Sequence, residues 1–181
     1  MIRMLLWLFG GVLLGAIIHI AVILSLPFFA SNDVWTKVTA LGALERVVVL
    51  PAAMPGQPNP LRLDPELTYA VCQLDLRKGP GVVSGVLPQA FWSVAVYNRS
   101  GTVIYSTTNR DGLGTSLDLG LFNSTQTRLL AEQQLDIAEG LLIVDAPSDD
   151  VFAVIRLAPP HQAMRARFEA ALSALVCGNI T

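Results

Sequence analysis

Residues 4–27 form a run of 24 positions without a single Asp, Glu, Lys or Arg. At 1.5 Å rise per helical residue, such a run matches the ~30 Å hydrocarbon core of a bilayer. The first constraint on the fold is therefore one membrane-spanning helix, with everything after Ala30 hung on it. A cleaved secretory leader has an apolar stretch of about 7–15 residues ending in small side chains. Here the run is longer and leaves through Leu26, Pro27, Phe28, Phe29 and Ala30, with Phe28 where a small residue would stand. The segment is expected to remain as an anchor. Positive charge hardly separates the two flanks, because Arg3 and the amino terminus face Lys37 and Arg46. A short tail ahead of the helix and a domain of roughly 150 residues behind it is the layout of an N-in anchor, since long domains translocate largely regardless of charge. This predicts a single-pass protein of the inner (cytoplasmic) membrane with its domain in the periplasm.

The remaining composition is that of a folded domain. Hydrophobic residues make up 52% of the chain, charged ones 14%, and the net charge is −2, which excludes a disordered chain and leaves no basic surplus for nucleic acid. The two cysteines, Cys72 and Cys177, both fall outside the anchor. One structural disulfide in an oxidising compartment would have this pattern. Two buried free thiols would have it too, because unpaired Cys is among the most buried residue types.

Periodicity divides the chain into an anchor (1–30), a juxtamembrane helix, first strand and Pro-rich loop (31–66), and a β-rich domain (67–181). Ser31 and Asn32 are candidate N-caps for an amphipathic helix with Val34, Val38 and Leu41 on one face, and Trp35 would lie near lipid headgroups. Gly42 ends that helix and an apolar strand is expected over 46–50. A segment with Pro51, Pro55, Pro58, Pro60 and Pro65 follows, which reads as a spacer or as a loop wrapping the domain; the alternation of Leu61 and Leu63 within it favours the wrap. Strands are expected over 67–76, 81–87, 91–98, 102–107, 116–121, 141–145 and 151–157. Both faces of 91–97 are apolar, which predicts a central strand. Asn98-Arg99-Ser100-Gly101 reads as a hairpin loop with Gly101 in the left-handed region. Asn123 and Gln126 have capping spacing ahead of a helix over 127–134. A closing helix presents Met164, Phe168, Leu172 and Leu175 on one side and Gln162, Arg165 and Glu169 on the other. Cys177, just beyond, would pin this helix to the strand of Cys72. The fold class expected is mainly β (α+β): a transmembrane helix, then an antiparallel β-sandwich or jelly-roll-like domain with a C-terminal helix.

Tyr69-Ala70-Val71-Cys72, Leu74-Asp75-Leu76, Gly79-Pro80, the run from Phe91 to Tyr97, then Gly101, Tyr105, Asn109 and Arg110 resemble the small membrane-anchored bacterial proteins of domain-of-unknown-function family 1254. The likeness extends to the anchor with its His19 and to the loop ending in Asp64-Pro65. It implies a β-rich extracytoplasmic fold and no established activity. Longer relatives join this module to a second, domain-of-unknown-function family 1214, for which 181 residues leave no room. The resemblance implies that the second module resides on a separate, similarly anchored partner.

Residues able to carry chemistry are few. His19 lies in the anchor and His161 at the start of the last helix, so no histidine pair can form within one chain. Ser84 and Gly85 lack the spacing of a nucleophile elbow and read as strand and bulge residues. Asp145, Asp149 and Asp150 could offer oxygen to a hard cation but lack the order of a calcium loop; Pro147 and Ser148 make them a solvated turn. Arg110 could hold a carboxylate ligand together with Tyr97 and Tyr105, or pair structurally with Asp111 or Asp75. The sequons at Asn98, Asn123 and Asn179 carry no weight in a bacterial protein. Gly11 and Gly15 form a small-xxx-small motif, with His19 one step further along the same helical face. That face can pack on a partner helix, or His19 can bond a backbone carbonyl in an unpartnered anchor.

No catalytic residue, metal site or cofactor is expected. Two functions remain. One is a membrane-anchored accessory or interaction protein, touching membrane lipid and a partner of the 1214 type or a second copy through Gly11, Gly15 and His19. The other is a periplasmic small-molecule binding or catalytic module using Arg110, Tyr97 and Tyr105.

Overall fold

The computed structural model describes residues 1–29, 33–111, 114–133 and 140–180; the expected caps Ser31 and Asn32 lie outside them. It divides into two units, Met1–Asp33 and Val34–Thr181. The first contains α1 (Ile2–Phe29), which over Ile2–Leu26 is long and apolar enough to cross a membrane and has no described part of the protein packed against it. An apolar helix with no polar face is one that lipid, not water, can cover.

The second unit is built from two sheets. One has five strands in the order β1 (Val48–Val49), β2 (Thr68–Asp75), β8 (Asp150–Leu157), β4 (Trp92–Asn98), β5 (Val103–Thr108), all antiparallel. The other has four, in the order β7 (Leu142–Ala146), β6 (Ser116–Asn123), β3 (Gly81–Val86), β9 (Val176–Asn179). Among the described residues these nine strands form no closed barrel, and the class is α+β. Period two aims Ala70, Cys72 and Leu74 of β2, Trp92, Val94 and Val96 of β4, and Val151, Ala153 and Ile155 of β8 inward. Facing them are Val83 of β3, Leu117, Leu119 and Leu121 of β6, and Val144 of β7, in one apolar core. The helix α4 (Arg165–Ser173) adds Phe168 and Leu172 to this core.

Several elements differ from the sequence reading. The first strand has two residues, not the five of 46–50. β4 is interior, between β8 and β5, but the middle position belongs to β8. β6 and β7 run parallel; α3 (Ser124–Gln133) follows β6, and parallel neighbours need such a crossover rather than a hairpin. The last helix does not close the fold, because the chain continues past Leu175 into β9. Cys177 is thus a strand residue opposite Val83. Its disulfide with Cys72, 105 residues away and 6.5 Å between Cα atoms, joins one sheet to the other across the core instead of pinning a helix.

Three local signals are realised in the structure. Gly101 has φ 79° and its N–H donates to the Asn98 carbonyl at 2.9 Å, closing the β4–β5 hairpin. Asn123 and Gln126 bond reciprocally, each backbone N–H to the other's side-chain oxygen at 2.9 Å, opening α3. Leu61 and Leu63 of the Pro-rich segment pack on the outer face of the five-stranded sheet.

Candidate functional site

The outward faces of β2, β4 and β8 carry Tyr69, Val71, Tyr97, Phe152 and Val154, so this part of the outer side of the five-stranded sheet needs its own cover. A second apolar cluster supplies it: Val38 and Trp35 of α2 (Val34–Ala40), Ala43, Leu50, Leu61 and Leu63 lie over Val71, Phe152 and their neighbours. Trp35, expected among headgroups, sits 6.2 Å from the Phe152 ring, with the Arg99 guanidinium 5.7 Å from its own ring. The Pro-rich strap is held by Asn59, whose side-chain amide donates to the Leu63 carbonyl and accepts from the Leu63 N–H, both at 2.8 Å. The Asp64 N–H donates to the Tyr69 hydroxyl at 3.1 Å.

Strap and helix do not fill the space above the sheet. Between them remains an open-sided cavity of about 380 Å³, with Val38, Leu61 and Leu63 on one side and Tyr97, Phe152 and Arg156 on the other. Tyr97 and Phe152 are cross-strand partners with rings stacked at 5.0 Å and 9°. Arg156, half-buried, stands in register between Tyr69 and Ser93, and its Nη2 donates to the Tyr97 hydroxyl at 2.9 Å. Among the described residues, Arg156 forms no ion pair. Chemically the cavity can take an apolar group and offer it one fixed cation.

Of the residues singled out from sequence, Tyr97 lies in this cavity while Tyr105 and Arg110 do not. Tyr105 is opposite Val96 and packs on the main core, on the other face of the sheet. Arg110 is exposed past the end of β5, near Trp92 rather than Tyr97. Neither carboxylate proposed for it is available. Asp111 accepts from the Thr107 hydroxyl, the Thr108 N–H and the Thr108 hydroxyl at 3.0, 2.7 and 3.2 Å, and these bonds hold it below the usual carboxylate range, the Thr108 N–H most strongly. Asp75 accepts from Arg77 Nε at 2.7 Å, which lowers its pKa against a smaller opposing cost of burial.

The acidic trio is also dispersed into separate bonds. Asp145 accepts from Thr127 Oγ1, Asp149 from the Asn123 amide, and Asp150 pairs with Arg77 at 2.8 Å and Arg99 at 3.3 Å. Among the described residues no three His, Cys, Asp or Glu side chains are grouped to share a metal ion. Ser84 is a strand residue between Asp118 and Val176, and His161 is exposed ahead of α4. The sequon amides have structural work: Asn98 closes its hairpin, Asn123 caps α3, and Asn179 donates to the Asp75 and Gly79 carbonyls. On α1, Gly11 and Gly15 have nothing within 4 Å of a Cβ built on them. Arg156 is the residue that sequence reasoning passed over. Its signal was a single guanidinium inside the otherwise apolar run 151–157.

No protein-family model matches the chain, and no curated protein matches it. Among solved structures, the VPA0106 protein from Vibrio parahaemolyticus is similar with a TM-score of 0.51 at 10% identity, over 65% of this chain and 29% of that one. An uncharacterised protein from Burkholderia cenocepacia gives a TM-score of 0.40 at 15% identity, over 65% of this chain and 30% of that one. The chain thus spans under a third of the length of either. At 10% identity the likeness to the Vibrio protein is one of fold.

Proposed function

We propose that this chain is an accessory or interaction protein of the bacterial inner membrane, of the family 1254 type, with its β-rich domain in the periplasm. Its anchor packs on a partner helix, from a companion of the 1214 type or a second copy. The observation that carries the reading is the state of α1: an apolar helix with Gly10, Gly11 and Gly15 open to close approach, beside a shallow groove formed with Leu6, Trp7 and Leu14. Gly11, Gly15 and His19 recur every four residues and so share a face. Transmembrane helices associate through van der Waals contact at such small residues, and a polar side chain at membrane depth seldom faces lipid.

The test uses tagged full-length protein extracted in mild detergent. Gly15→Leu keeps the segment apolar and helical, so insertion is expected to persist while recovery of the associated protein falls. His19→Leu is expected to act in the same direction. Unchanged association for both variants, in detergent and by cross-linking in membranes, overturns the proposal.

A further inference from the structure

We propose that the cavity over the five-stranded sheet binds a single-chain amphiphile with an anionic head, its hydrocarbon against Leu61, Leu63 and Phe152 and its carboxylate or phosphate on Arg156. This inference is independent of how the anchor packs. The volume of about 380 Å³ falls at the lower end of the range for small-molecule sites, roughly 300–1,000 Å³. Mostly apolar walls with one oriented polar group are the usual composition of such sites, and these walls disfavour a fully polar metabolite.

The polar group selects the sign of the ligand. A guanidinium carries five N–H donors, and Arg156 uses Nη2 toward the Tyr97 hydroxyl, which fixes the plane of the fork. A half-buried cation beside aromatic and aliphatic walls gains most from an anion with two oxygens. Arg62, at the rim and exposed, likewise makes no ion pair among the described residues. Among the described residues no acidic side chain lines the cavity, although the chain as a whole carries −2. The left-handed backbone at Arg62, φ 52°, separates Leu61 and Leu63, which pack inward, from the charge between them.

The experiment uses full-length protein in phosphatidylcholine nanodiscs and three photoreactive probes of equal chain length: a diazirine-bearing dodecanoate, the matching dodecyl phosphate and the matching dodecanol. Labelled peptides are mapped by mass spectrometry, with label on α1 as the internal measure of probe in the bilayer. The expected result is label on peptides spanning 61–71 and 152–156 that is about tenfold greater, relative to α1, for an anionic probe than for the alcohol, the scale of one charged hydrogen-bonded pair. Which anion labels more identifies a free carboxylate or a phosphate headgroup as the source. Arg156→Gln is expected to remove that excess while the disulfide and circular dichroism remain native, and Arg156→Lys to retain part of it. If that glutamine variant fails to fold, the comparison of anionic probe with alcohol on the native chain decides alone. Equal labelling by acid and alcohol, or an excess that survives Arg156→Gln in a folded protein, overturns the proposal.

Discussion

Two arginines show why side-chain chemistry is read from what surrounds it. Arg110 follows a β-hairpin and sits beside Asp111, which in sequence makes an ion pair attractive. In the fold, Asp111 is fully engaged by Thr107 and Thr108, and Arg110 reaches into solvent. Arg156 is in sequence the single charge of an otherwise apolar run, and in the fold both faces of that strand are covered. The difference was not legible because the residues that share the cavity with Arg156 come from segments as distant in sequence as α2 and the Pro-rich strap, and only the apolar character of its strand hinted at them. Arg110→Ala is expected to change unfolding free energy by no more than about 0.5 kcal/mol, as for surface substitutions generally. Asp111→Ala, which leaves the Thr108 N–H and the Thr107 hydroxyl without their acceptor, is expected to lower the thermal midpoint clearly. Paired thermal melts of the two variants check this. A larger loss for Arg110→Ala than for Asp111→Ala would contradict the assignment.

Among elements, those specified by neighbours in sequence were legible and those specified by distant partners were not. The hairpin at Asn98–Gly101 and the reciprocal cap of Asn123 and Gln126 are local bargains between a backbone and its own side chains, so residue type and spacing suffice. β9 is four residues long and contains Gly178 and Asn179, too short and too poor in β-formers to announce itself; it exists because β3 presents a free edge. The parallel pairing of β7 with β6 is equally invisible, since nothing in five residues tells which edge they will join. The site divides in the same way: the strap's Leu61 and Leu63 and the ring of Tyr97 stood out, but the cavity they share with β8 did not. β9 is also an edge strand held by a disulfide, which makes its contribution measurable. Replacing Cys72 and Cys177 together with alanine is expected to cost ~2–5 kcal/mol, the usual range for a native disulfide. Denaturant unfolding checks the magnitude. Hydrogen exchange is expected to quicken first in Val176–Asn179, and uniform loss of protection would argue against a local role.

At the scale of the whole molecule, acid should loosen the domain through two carboxylates, one at the end of β2 and one just past β5. Asp75 and Asp111 ionise below the usual carboxylate range in the folded protein, the first held chiefly by Arg77 and the second chiefly by the Thr108 N–H. The unfolded chain therefore takes up protons first as pH falls. The stabilisation is complete above the unfolded carboxyl pKa, about 4, and is lost as pH drops through the folded values. Urea midpoints of full-length protein in detergent are expected to hold between neutral pH and about pH 5 and to fall below about pH 4, with a shallower fall in Asp75→Asn. Equal slopes in both proteins would remove Asp75 from the account. The place of β8 carries a different consequence, one of timing. Both β2 and β4 pair with β8 and not with each other, so the five-stranded sheet has no middle until residues 150–157 have been made. Until then two apolar strands wait with open edges, and long-range pairing of this kind is slow and exposed to aggregation. A nascent chain of this protein is thus most vulnerable after β5 has formed its hairpin with β4 and before β8 arrives, which is when a chaperone would be of greatest use to it.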